Sequence, residues 1–184
     1  MSTIETPVFT SIPQGTWTID PAHSSVEFSV KHMGIATVRG QFSNFEGAIE
    51  SDGENASVSG TVDAASIDTH NEQRDQHLVS PDFFEVEKHP QITFSADTVE
   101  LNGDGTVRIP GRISIRGVEQ EIELTGDYAG AGTDPWGNER VALEVSGEID
   151  RRDFGLVWNQ PLAGGGLLVS NGVKLTLSVA AVKE

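Results

Sequence analysis

The sequence predicts an all-β chain of about eight long strands, folded as a sandwich or an up-and-down barrel with one short helical insertion. Three observations carry this. Apolar residues recur at every second position in one run after another. Gly-, Asn- and Asp-rich turns separate the runs. Strand patterns do not alternate with helix patterns, so parallel βαβ units are not expected.

A short strand, Trp17-Thr18-Ile19, opens the series. In Ser24 to His32, Val26, Phe28, Val30 and His32 share one parity, and Ser25, Glu27, Ser29 and Lys31 share the other. One apolar and one polar face mark a half-buried antiparallel strand. Val38, Gly40 and Phe42 continue in phase, whereas Phe45, Gly47 and Ile49 resume on the opposite parity, which places a bulge at Ser43-Asn44. Val58, Gly60, Val62 and Ala64 follow, then Ile92, Phe94 and Ala96, with a slip before Val99 and Leu101. Asn102-Gly103-Asp104-Gly105 reads as a hairpin turn into Val107, Ile109, Gly111, Ile113 and Ile115. The next two sets are Ile122, Leu124, Gly126, Tyr128 and Val141, Leu143, Val145, Gly147, Ile149. Val173, Leu175, Leu177 and Val179 form the last strand. The short helix is expected over 71–79 with Asn71 as its N-cap, and Pro81 and Pro90 bracket the loop behind it. Phe154 to Leu168, with Gly164-Gly165-Gly166, reads as a mobile loop.

Composition narrows the function. The 184 residues carry 12 basic and 28 acidic side chains, a net charge of −16. Phosphate backbones and anionic lipid surfaces are bound by Lys and Arg, so neither nucleic acid nor a basic-patch membrane association is expected. No stretch approaches the ~20 apolar residues of a membrane helix, so stable membrane insertion is not expected either. Zero cysteines exclude disulfides, thiolate metal sites and cysteine nucleophiles. Residues 1–14 read as a flexible arm and 15–184 as a single domain. The arm has no basic, apolar leader pattern, so the expected location is cytoplasmic.

Gly40, Gly47, Gly60, Gly111, Gly126 and Gly147 all fall on the apolar, inward parity. Two readings stay open from the pattern alone. Inward glycines can leave a small barrel hollow enough for one ligand, or they can mark bends in a coiled sheet. A cavity along strands of this length would be long and apolar, and so would its ligand. Val26, Phe28, Val30, Phe42, Phe94, Ile113 and Leu124 are the expected lining, with Trp158 in a gating loop at the mouth.

Four polar residues are candidates for a ligand head group, each with a plainer alternative. His32 keeps the inward parity at a strand end, where a buried, satisfied histidine is also common. Arg74 and His77 share a helix face, with Asp75 pointing elsewhere, and Arg74 could instead form an ion pair that pins the helix to the barrel. Arg151 points inward at a strand end and needs either a ligand anion or a carboxylate such as Asp63, Asp68 or Asp150. His70 and His77 lie near Asp68 and Asp75 but in no tight metal-binding spacing, so no metal or other cofactor is expected. No G-x-S-x-G elbow is present, and Glu119, Glu121 and Glu123 alternate outward as a solvated face. The expectation is therefore a binding protein rather than an enzyme. The alternatives are an enzyme on such a lipid with His32 or His77 as acid/base, and a stress-linked homodimer with a filled barrel.

From Gly15 to Lys183 the chain resembles the YceI-like polyisoprenoid-binding family. The matching stretches are Trp17-Thr18-Ile19-Asp20 with His23-Ser24, Phe28 to Gly34, Val38 to Phe42 and Phe45-Glu46-Gly47. They continue through Ala65 to Thr69, Arg74 to Leu78, Pro81-Asp82-Phe83-Phe84, His89 to Phe94, Gly111 to Val118 and Asp150 to Gly155. His70, Glu119-Gln120-Glu121 and Ser170-Asn171 depart from the family pattern. The resemblance implies an extended lipocalin-like antiparallel barrel around a long isoprenoid or fatty amphiphile with a small polar head, isoprenoid quinone or polyprenyl phosphate in type. Many family members carry a leader; this chain is similar to the leaderless kind.

Overall fold

The structure is a computed structural model and describes residues 11–184. Twelve strands follow one another: β1 (Gly15–Ile19), β2 (Ser25–His32), β3 (Ala36–Phe42), β4 (Phe45–Ser51), β5 (Ala56–Asp63), β6 (Ile67–Asp68), β7 (Gln91–Ala96), β8 (Glu100–Leu101), β9 (Thr106–Ile115), β10 (Val118–Thr133), β11 (Glu139–Asp150) and β12 (Val169–Lys183). One helix, α1 (Glu72–Leu78), stands between β6 and β7. Its N-cap is Asn71, whose side-chain oxygen accepts the Arg74 N–H at 2.9 Å.

Several strands lie end to end and act as one. A single 3-10 turn at Pro21–His23 separates β1 from β2, and both run along β12, from Trp17↔Lys183 to Val30↔Val173. β3 pairs with β2 and β6, whereas β4 pairs with β1 and β5. Eight antiparallel staves result, each beside its neighbour in the chain, and the β1–β12 pairing closes them into an up-and-down barrel. Closure removes the exposed edges of an open sheet. The bulge expected at Ser43-Asn44 is instead a break between β3 and β4, which pair with different strands, and there the Asn44 N–H donates to Ser66 Oγ at 3.1 Å. The slip after Ala96 separates β7 from the two-residue β8.

The two ends of the barrel differ. Where β1 begins, Ile12, Trp17, Ile49, Val107, Val141 and Ala181 are all fully buried and fill the interior. Trp17 Nε1 donates to the Pro13 carbonyl at 2.8 Å, and Ser51 Oγ donates to the Ile12 carbonyl at 2.6 Å. The last residues of the expected arm thus pack on this plug, while residues 1–10 lie outside the described residues. At the other end, where β2 and β11 finish, α1 and the segment 155–168 cover a space that side chains do not fill.

Candidate functional site

An apolar cavity of about 210 Å³ occupies the barrel from its middle to the covered end. Val26, Phe28, Val30, Phe42, Phe94, Ile113 and Leu124 all line it. Val26, Phe28, Val30 and Phe94 point inward yet are only half-buried, because their inner faces border the hollow. The sequence reading missed part of the wall. Val173, Leu175 and Leu177 of β12 line it too, and their inward parity was the available signal. Leu78, Phe83 and Phe84, from α1 and the turn after it, close the cavity, and no strand periodicity marks them.

The inward glycines mostly do not create this space. The Phe28 ring occupies the position of a Gly40 side chain, and Phe28 and Gly40 are cross-strand partners. A Cβ on Gly111 would lie 2.7 Å from both Phe94 Cζ and the Ser95 carbonyl oxygen. At Gly126 the Glu144 carbonyl takes the place of the Cβ, and at Gly147 Leu124 Cδ2 lies 2.9 Å from it. These glycines let the sheet coil and seat a neighbour's ring or methyl group. Gly60 is the exception: it borders the cavity, and a Cβ there would meet nothing nearer than the Glu46 carbonyl at 3.6 Å. Of the two readings left open by the pattern, the bend holds at Gly40, Gly47, Gly111, Gly126 and Gly147, and the open position holds at Gly60.

A second space of about 430 Å³ adjoins the cavity and shares Phe28, Val30, Leu78, Phe83 and Val169 with it. His32, Arg74, His77 and Trp158 all line this vestibule, together with Lys31 and Thr69. Trp158 therefore belongs to the vestibule and not to the cavity wall. Its indole meets the His77 ring edge-on at 4.7 Å and lies 5.5 Å from Phe83. His77 Nε2 and Asp82 Oδ2 are 2.9 Å apart, which fixes the imidazole against these two rings. No Asp or Glu belongs to the vestibule lining, although the chain has 28 of them.

Among the described residues Arg74 forms no ion pair with the barrel. Its Nε donates to Thr69 Oγ1 at 2.8 Å and its Nη2 to the Thr69 carbonyl at 2.7 Å. Asp75 converges on the same residue, accepting the Thr69 N–H at 2.9 Å and its hydroxyl at 2.5 Å. The expectation that Asp75 points elsewhere is thus corrected: buried Thr69 is the peg on which α1 hangs. Arg74 still lines the vestibule.

Arg151 is 4% exposed and borders the inner cavity, not the vestibule. In place of the expected ligand anion or carboxylate, four backbone carbonyls accept from it: Ser170 at 2.9 Å, Leu156 at 2.7 Å, Trp158 at 2.8 Å and Val169 at 3.3 Å. A guanidinium has five donors in a fixed fork, so one side chain can gather a whole loop. It ties the segment carrying Trp158 to the start of β12. Burial pushes its pKa below the usual arginine value.

His70 stands away from the vestibule, exposed, with its Nδ1 3.8 Å from Asp68 Oδ1. Among the described residues no group of three or more His, Asp or Glu side chains is placed to hold a metal ion.

Known proteins share this architecture. A crystal structure of Burkholderia cenocepacia BcnA superposes with a TM-score of 0.76, covering 88% of this chain and 98% of that one at 20% identity. A polyisoprenoid binding domain from Saccharophagus degradans, implicated in plant cell wall breakdown, superposes with a TM-score of 0.69 over 91% of this chain and 98% of its own, at 14% identity. At these identities the likeness is one of fold. A UPF0312 protein of Pectobacterium atrosepticum is 34% identical over 165 residues, which are 88% of this chain and 82% of that protein. The sequence profile of the YceI-like domain matches residues 17–181, and the chain belongs to that family.

Proposed function

We propose that the protein binds one long-chain isoprenoid amphiphile, its tail in the cavity and its head in the vestibule, and carries it between membranes or partners. The observation that carries this reading is the continuity between a cavity with an almost wholly apolar surface and a vestibule lined by Lys31, His32, Arg74 and His77 and by no carboxylate. The two cations Lys31 and Arg74, beside the imidazoles of His32 and His77 on a strongly acidic protein, favour an anionic head, so polyprenyl phosphate fits better than quinone. The name of the Saccharophagus domain points to the same class of ligand.

Space of this size accommodates ~14–21 water-sized groups, or about three to four five-carbon isoprene units. A longer tail extends out through the vestibule. Each methylene moved from water is worth ~0.8 kcal/mol, and a tail of tens of carbons would exceed the practical affinity ceiling near −18 to −21 kcal/mol. The working exchange is therefore bilayer to barrel, where the apolar gains nearly cancel and uptake is reversible. Arg74 and His77 already hydrogen-bond Thr69 and Asp82, which suits a fixed electrostatic cradle better than proton transfer.

The test is Ile113→Trp, which fills the middle of the cavity. The variant is expected to keep its β-rich circular dichroism and to lose stoichiometric uptake of a radiolabelled C20 polyprenyl phosphate. Unchanged stoichiometry in the folded variant refutes the placement of the tail.

A further inference from the structure

The surface around the vestibule opening differs from the rest of the protein in two ways. Residues 154–173 contain no Asp, Glu, Lys or Arg, and neither do residues 32–38, in a chain with 12 basic and 28 acidic side chains. Among the described residues, five large apolar side chains stand exposed: Met33, Ile35, Trp136, Val157 and Leu167. Four of the five lie on these two uncharged segments, Ile35 at 82% and Val157 at 65% exposure. The Met33 N–H donates to the Leu168 carbonyl at 2.8 Å, which holds the segments side by side. His32 and Leu168, next to this bond, are vestibule residues. An uncharged, apolar rim therefore flanks the entrance on the side opposite α1.

We propose that this end of the barrel docks on a bilayer of zwitterionic lipid, with Met33, Ile35, Val157 and Leu167 entering the head-group region. The proposal rests on the carrier reading above and adds the place where the ligand is exchanged. Two observations select the occupant. A net charge of −16 repels the protein from an anionic leaflet, whereas the rim itself presents no charge to a neutral one. The rim is also continuous with the vestibule, so a tail leaving the bilayer enters the barrel without crossing water. Four separate side chains bury little area, so the docking is transient, as a carrier requires.

Flotation of the full chain with phosphatidylcholine vesicles tests this. The wild type is expected to float with the vesicles. Ile35→Asp combined with Val157→Asp is expected to lower the partition coefficient about tenfold or more, since both side chains lose their apolar gain. Replacing part of the phosphatidylcholine with phosphatidylglycerol is expected to weaken flotation at low salt. Equal flotation of the folded double variant overturns the proposal, as does flotation that rises with phosphatidylglycerol. A wild-type dimer in sedimentation equilibrium that the double variant abolishes also overturns it, because the rim would then be an interface between two copies. Extraction of the purified wild type separates the two readings: long-chain lipid in the extract without vesicle flotation refutes docking alone, and neither lipid nor flotation refutes both.

Discussion

Replacing Gly60 with leucine fills the cavity at the point where its wall is barest. Gly60 borders the hollow, has an extended backbone that any residue can adopt, and leaves a Cβ in ordinary contact with the Glu46 carbonyl at 3.6 Å. Leucine adds four carbons to apolar surroundings. At ~0.8 kcal/mol each this contributes at most about 3 kcal/mol to folding. Removing a glycine from a strand adds ~0.5–1 kcal/mol, and ordering the leucine side chain costs about as much. The ligand-free variant is therefore expected to be about 1–3 kcal/mol more stable than the wild type in urea titration. The same carbons displace about one isoprene unit of tail, some 4 kcal/mol of apolar contact, so affinity for a C20 polyprenyl phosphate drops by on the order of a hundredfold or more. Higher stability with unchanged affinity would show that the tail does not pass Gly60. Lower stability would show that the space beside Gly60 is not there.

Gly111→Ala is expected to do the opposite. Its Cβ would press on Phe94 and on the Ser95 carbonyl, costing about 1–3 kcal/mol of stability in the same titration, and a neutral result would refute the role of Phe94 as cover. Arg151→Leu leaves the Leu156, Trp158, Val169 and Ser170 carbonyls without their shared donor, so it is expected to cost about 3 kcal/mol or more. Hydrogen exchange in 156–170 then accelerates ahead of the strands; uniform acceleration would contradict a tethering role. Acid stability follows from the cluster that joins β1 to β11. Arg140 and then His23 lower the Asp20 carboxyl from 3.8 to about 2, and Arg140 holds Asp134 lower still. Depressed carboxylates stabilise the fold above about pH 4, and that contribution is lost as pH falls toward 2. Asp20→Asn is expected to flatten this limb of the unfolding curve, and an unchanged slope would remove the cluster from the account.

The staves were legible because one face of each is wet and the other is not. Alternation located nearly every long strand and the parity change at Ser43-Asn44, and the capping pattern marked Asn71 as the start of the helix. The meaning of the inward glycines was not legible, because it depends on register. Only the pairing Phe28↔Gly40 shows that an aromatic ring stands where the missing side chain would be. The vestibule was legible residue by residue but not as a place. His77 and Trp158 are far apart in sequence and meet only because a loop folds back over α1. That loop is held by Arg151 through main-chain carbonyls, which carry no signature in any side chain. The Thr69 peg was hidden for a related reason. Small polar residues are common at strand ends, and its burial comes from the helix packed over it.

The central claim is that the barrel holds one long-chain amphiphile. Native mass spectrometry of the purified protein, followed by organic extraction of the same sample, tests it most directly. The account predicts an adduct at one lipid per chain that yields a long-chain isoprenoid with a phosphate head. A bare protein mass that stays unchanged after incubation with polyprenyl phosphates and isoprenoid quinones would contradict it.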